Sequence, residues 1–342
     1  MKKLRLDQRH VSLAATLVVC VLLYVLTGFQ YPSFFSPLVL ADLFSDNARL
    51  GIAALGSTFV ILSGGIDLSV ASVMALATMF MAAAVERFHL HPAIAIVFTL
   101  LVGSGVGYLN GALIHFFDLP PFLVTLATLF LARGCCFLIS MSPVAAESPF
   151  FQSFGEAGLH LGTVTLHLGT IIFACVAIVC IYAAHFTRFG RTVYAMGGNE
   201  QAARLMGLPV GKTKILVHVF GGLTAALAGI MAMANIPSGD PLNYLGQELD
   251  VIAAVVIGGT VLTGGVGYLA GTVLGVLILG IMQDFITFGN RDAAWTQITT
   301  GLLLFVFVAM QTILSRWKPR AGTRDTIVRS SLIPSPGTPG EG

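Results

Sequence analysis

Few side chains in this sequence can do chemistry, and those that can do not cluster. The eight histidines, at positions 10, 89, 91, 115, 160, 167, 185 and 218, are scattered. His89-x-His91 has no third ligand nearby, so no metal site is expected. Cys20, Cys135, Cys136, Cys175 and Cys180 fall in apolar stretches without ligand spacing and read as small core hydrophobes. No G-x-x-x-x-G-K-[ST] phosphate loop occurs, because Gly221-Gly222 and Gly264-Gly265 lack the lysine. No nucleophile stands beside a base, which argues against an enzyme. What remains is a set of polar residues in apolar surroundings. Asp67, in Ser63-Gly64-Gly65-Ile66-Asp67-Leu68-Ser69, can cap a helix that starts after the glycines, or line a polar route. Arg133 can bind a polar solute or brace a neighbouring segment through its carbonyls, and Asn110 and Gln283 are weaker candidates for the same route.

A second kind of chemistry is mechanical. Residues 187–214 read TRFGRTVYAMGGNEQAARLMGLPVGKTK. Within them Asn199 is a good N-cap, and Glu200 follows where the helix dipole favours an anion. Arg204 stands at i+4 from Glu200, Gly207 can supply a left-handed stop, and Pro209 follows it. The result is a helix of about two turns in which Ala202, Ala203, Leu205 and Met206 offer small and apolar contacts. Such a helix is either the ordinary folding of a long loop or a rigid docking element for a cytoplasmic motor.

The elements that position these residues follow from composition. Of 342 residues, 56% are hydrophobic and only 10% charged, where a soluble domain has about 25% charged residues. No Asp, Glu, Lys or Arg occurs in 10–41, 88–117, 157–187, 215–239, 251–283 or 293–315. Each stretch is long enough for the ~20 residues that cross ~30 Å of hydrocarbon. The reading is an all-α polytopic membrane protein with ten spans: 11–28, 50–63, 68–86, 93–116, 122–141, 166–186, 214–234, 249–262, 268–286 and 295–314. The short spans 50–63 and 249–262 are expected to be tilted, broken or re-entrant. All 14 prolines lie outside the ten, as their missing N–H requires. Gly103, Gly105, Gly107 and Gly111, then Gly271, Gly275 and Gly280, are expected to let helices approach closely.

Basic residues orient the bundle. Of 18 Lys and Arg, four lie at the N-terminus, five in 187–214 and five after 315, whereas Arg49, Arg87 and Arg291 fall on the other side. Both termini are therefore expected in the cytoplasm, with residues 1–10 as a short cytoplasmic segment, 11–315 as the membrane domain and 187–213 as its cytoplasmic loop. The tail 316–342 is rich in Pro, Gly and Ser and is expected to be disordered. Residues 51–76 and 251–276, shifted by 200, share Ile52/Ile252, Ala53/Ala253, Ala54/Ala254, Leu62/Leu262, Gly64/Gly264, Gly65/Gly265 and Val73/Val273. That is either chance in an apolar background or a structural repeat, which transporters build around broken helices.

Four segments in register, LGSTFVILSGGIDLSVAS (55–72), LPPFLVTLATLFLARG (119–134), GRTVYAMGGNEQAARLMGL (190–208) and ELDVIAAVVIGGTVLTGGVG (248–267), resemble the ribose/galactose-type permeases of ATP-binding-cassette importers. Within that group, LSGGIDLSV, HFTRFGRTVYAMGGN and TVLTGGVG are most similar to permease subunits of galactofuranose importers. Tyr268 departs from the small residue common there. The resemblance implies a bacterial inner-membrane permease that moves a sugar inward. It would bind no cofactor, because ATP is used by a separate cytoplasmic ATPase docked on the loop around Asn199–Arg204. It implies as further partners a periplasmic sugar-binding protein, a second permease subunit, identical or related, and membrane lipid; no nucleic-acid partner is expected. The rival reading is a stand-alone secondary transporter or channel, but the spans are poor in the acids and histidines that a proton relay needs.

Overall fold

Proline marks where several helices begin. Pro37, Pro92, Pro121 and Pro149 each occupy a first helical position, where the missing N–H has no intrahelical partner to lose and φ is already helical. The computed structural model describes residues 8–162, 164–292 and 294–316. Its helices are α1 Gln8–Gln30, α2 Pro37–Asp46, α3 Ala48–Leu62, α4 Val70–Glu86, α5 Pro92–Phe116, α6 Pro121–Ile139 and α7 Pro149–Glu156. They continue with α8 Leu168–Phe186, α9 Arg188–Gly198, α10 Glu200–Leu205, α11 Val210–Asn235, α12 Gln247–Ile257, α13 Leu269–Phe288 and α14 Ala294–Arg316. The tail expected to be disordered, from residue 317 on, and the first seven residues lie outside the described residues.

Each of the ten expected spans contains a helix, but the ten are of unequal length. α1, α5, α6, α8, α11 and α13 are long and apolar enough to cross a membrane. α3 and α12 are not: 15 and 11 residues reach only about 22 and 16 Å at 1.5 Å per residue. The expected helix over 249–262 stops early, at Ile257, because Gly258-Gly259 turns the chain with Gly259 at φ +91°. Three helices were not expected from the pattern. α2 and α7 are short surface helices, and α9 occupies the first half of what read as a loop. Two small antiparallel pairings join them: β1 Val144–Ala145 with β4 Ser238–Gly239, and β2 Gly158–Leu161 with β3 Val164–His167.

The core forms around α4 and α11. Most residues of α4 are buried on every side, and α11 packs along α3, α4 and α5. Lipid-soluble helices have no hydrophobic force pressing them together, so close backbone contact must supply the attraction. Gly103, Gly107 and Gly111 provide it: a Cβ at Gly107 would lie 2.2 Å from the His218 carbonyl oxygen, and one at Gly103 2.5 Å from that of Gly222. Gly271 and Gly275 serve α13 in the same way against Gly258 and Ala254 of α12. Gly105 differs from its neighbours. Nothing lies within 4 Å of its Cβ position, because it faces away from the α5–α11 seam.

Candidate functional site

The two segments related by 200 residues form matching units, helix–break–helix, as α3–α4 and α12–α13. Their breaks touch. The Gly265 N–H donates to the Leu62 carbonyl at 2.9 Å, and a Cβ at Gly264 would lie 2.8 Å from Gly64 N and Cα. The hydroxyls of Thr58 and Thr272 meet at 2.8 Å between the two units. The end of α9 enters the same junction. A Cβ at Gly197 would fall 1.8 Å from the Leu62 oxygen and 2.4 Å from Gly265 N, and one at Gly265 would fall 2.6 Å from Gly198 N. Backbone meets backbone at three places here, which only hydrogen-sized side chains permit. Tyr194 of α9 adds a hydrogen bond to the Gly267 carbonyl at 2.8 Å.

α10 begins one residue later. The Asn199 side chain accepts from the Ala202 N–H at 2.9 Å, closing the helix start. Gly207, at φ +75°, ends it, and its N–H returns to the Arg204 carbonyl. Glu200 receives Arg204 at 2.7 Å and also Lys214, from the first turns of α11, at 2.8 Å. Burial works to raise the Glu200 carboxyl, but hydrogen bonds and charge from Lys214 and Arg204 outweigh it and hold it below the usual carboxylate value. α10 is thus anchored at both ends. Ala203 is buried against Met196 and Val210, whereas Leu205 and Met206 are 90% and 67% exposed.

At the far end of the bundle lies a cavity of about 350 Å³. Asp46, Asn47 and Arg49 enter it from the α2–α3 corner, and Asn235 from the end of α11. Gln247 and Asp250 line it from α12, and Gln283, Asp284 and Thr287 from α13. Burial, reinforced by nearby Asp42, raises the Asp46 carboxyl above its ordinary value, with Arg49 and His167 opposing. The Arg49 guanidinium also lies 5.8 Å over the Tyr244 ring. Among the described residues, no group of histidines, cysteines and acids is placed to hold a metal ion.

Helix breaks paired by an internal repeat, with α9 in backbone contact with both, are features of a transporter. Residues 39–308 match the family described as "branched-chain amino acid transport system / permease component". The chain belongs to that family. It is 40% identical to the inner membrane ABC transporter permease protein YjfF of Escherichia coli K12, over 94% of this chain and 98% of that one. It is 35% identical to the fructose import permease protein FruG of Bifidobacterium longum, over 91% and 93% of the two chains. With the ribose import permease protein RbsC of Escherichia coli K12 it shares 36%, over 87% and 91%. No solved structure matches.

The permease places its sequence-predicted residues in four separate locations. Asn199, Glu200, Ala202, Arg204 and Gly207 build and expose α10, whereas Ala203 faces inward. Asp67, 6% exposed, accepts from the Ser69 N–H and hydroxyl at 2.8 and 2.6 Å; Asn110 donates to that hydroxyl at 3.2 Å and accepts from Thr128 at 2.5 Å. These two residues therefore tie the start of α4 to α5 and α6. Arg133 is a brace, donating to the carbonyls of Pro241 and Asn243 between α11 and α12. Of the four path candidates, the far-end cavity takes in only Gln283. Its other polar residues were missed, although each stands at or close to an end of an apolar run, which is the signal that would have found them.

Proposed function

We propose that this permease is the membrane subunit of an ATP-driven sugar importer, worked by an ATPase that docks on α10. The observation that carries the reading is the glycine junction. One rigid helix pair, α9–α10, touches both helix breaks by backbone contact, so a push on α10 is delivered to both halves of the repeat at once. α3 then runs from the junction to Arg49, and α12 from Gly258 to Gln247, so both reach the walls of the far-end cavity. Tilting them opens or closes that cavity, the displacement that alternating access needs.

The relatives named for ribose and fructose import support a sugar as cargo. Galactofuranose is the first sugar to test, on the similarity of LSGGIDLSV, HFTRFGRTVYAMGGN and TVLTGGVG to galactofuranose permeases. Arg188, Arg191, Arg204, Lys212 and Lys214 surround α10, whereas Arg49, Arg87 and Arg291 are the basic residues of the opposite end. That asymmetry supports a cytoplasmic α10 and cytoplasmic termini. The same reading assigns the cavity end to a periplasmic sugar-binding protein, a second permease copy or relative to the remaining membrane face, and no cofactor to this chain. Residues 11–315 would form the membrane domain.

The test combines Leu205→Asp with the pair Glu200→Ala and Arg204→Ala. The expected result is loss of ATPase co-purification and of uptake of labelled galactofuranose, ribose or fructose, while the chain still inserts. Unchanged ATPase association and uptake in all of these variants would show that α10 is not the docking element.

A further inference from the structure

We propose that the far-end cavity is an in-transit sugar site that accepts neutral and amino sugars and rejects anionic ones. The inference rests on the reading of the chain as a sugar permease and names the selectivity of the space that this reading leaves undefined. Two independent features point to a ligand there. The first is the space itself: a partly open cleft of about 350 Å³ between the ends of α2, α3, α11, α12 and α13, at the lower end of the ~300–1,000 Å³ of small-molecule sites. The second is position. The walls come from both repeat units, and α3 and α12 connect them to the two breaks that α9 touches.

The lining sets the class of cargo. Asn235, Gln247 and Gln283 offer carboxamides that both donate and accept, which suits sugar hydroxyls in any orientation. Asp46, Asp250 and Asp284 accept hydroxyl or ammonium protons. Against these three carboxyl groups stands the single guanidinium of Arg49, which is already directed to the Tyr244 ring. A uronate or sugar phosphate would add like charge to an acid-rich space at close range, while an ammonium group would gain there.

The experiment uses the intact purified permease without binding protein, with saturation-transfer NMR on galactose, galactosamine and galacturonate. Galactose and galactosamine are expected to give signals, with galacturonate at least about tenfold weaker. Asp250→Asn combined with Asp284→Asn is expected to raise galacturonate toward galactose and to weaken galactosamine. Gln247→Glu, which adds a carboxylate at constant size, should strengthen galactosamine and serves as the second variant should the double one misfold. Equal binding of galactose and galacturonate by the unaltered protein, or variants that leave the order unchanged, would overturn the proposal. No signal for any of the three, beside a complete importer that transports galactose, would overturn the site alone. An importer that transports no sugar would overturn the underlying reading as well.

Discussion

Gly197 and Gly198 are adjacent in α9, and replacing each by alanine should have opposite consequences. At Gly198 the new methyl group meets nothing within 4 Å. At Gly197 it would lie 1.8 Å from the Leu62 carbonyl oxygen and 2.4 Å from Gly265 N, two atoms already joined by a 2.9 Å hydrogen bond. Both replacements gain the ~0.5–1 kcal/mol of alanine over glycine inside a helix, so that term cancels between them. What remains for Gly197→Ala is about 1–3 kcal/mol of overpacking. Separating the Leu62–Gly265 hydrogen bond adds about 1–3 kcal/mol for the orphaned buried groups. At 1.4 kcal/mol per decade, even the lower bound of about 2 kcal/mol is roughly a 30-fold shift. The assay is sugar uptake per ATP hydrolysed by the complete importer in proteoliposomes, with thermal unfolding of each variant measured beside it. Gly198→Ala should transport normally. Gly197→Ala should still insert but lose transport by at least about 30-fold while ATP hydrolysis continues. If Gly197→Ala transports as Gly198→Ala does, the junction does not link α9–α10 to the breaks.

Two further expectations concern packing and charge. Gly107→Leu places a side chain against the α11 backbone and should lower the unfolding temperature sharply, whereas Gly105→Leu, in open space, should stay within about 0.5 kcal/mol of the parent; equal effects would refute the α5–α11 seam. Glu200 has its carboxyl lowered in the folded chain, so its pairs with Arg204 and Lys214 contribute stability that is present above the ordinary value of 4.5 and lost as pH falls through the depressed one. The unfolding difference between the parent and Glu200→Gln should therefore be steady at neutral pH and vanish in acid. Its size should be small, about 0.2–1 kcal/mol, because the pair is well exposed to screening solvent. A difference that grows on acidification would contradict the sign.

The cap of α10 was legible because it is local. Asn199, Glu200, Arg204 and Gly207 act within one or two turns of each other, and their side chains and φ angles do what their types prescribe. α9 was harder to see, since its start at Thr187 and its alternation of Arg188 and Arg191 with buried Val193 and Met196 occupy barely three turns. Asp67 and Asn110 were visible as polar residues in apolar runs; the bonds of Asp67 to Ser69 are local, two residues apart, but Asn110 met Ser69 and Thr128 only when α4, α5 and α6 packed.

By itself the sequence determined the membrane class and a helix in each of ten spans, because charge depletion and proline placement act along the chain; whether segments 51–76 and 251–276 are a repeat it left open. Only the tertiary structure decided that Gly64, Gly197 and Gly265 share one junction, and that residues from 46 to 287 line one cleft. Close approach of backbones and the shaping of a cleft are relations between segments up to about 240 positions apart in the chain, and no local periodicity encodes them.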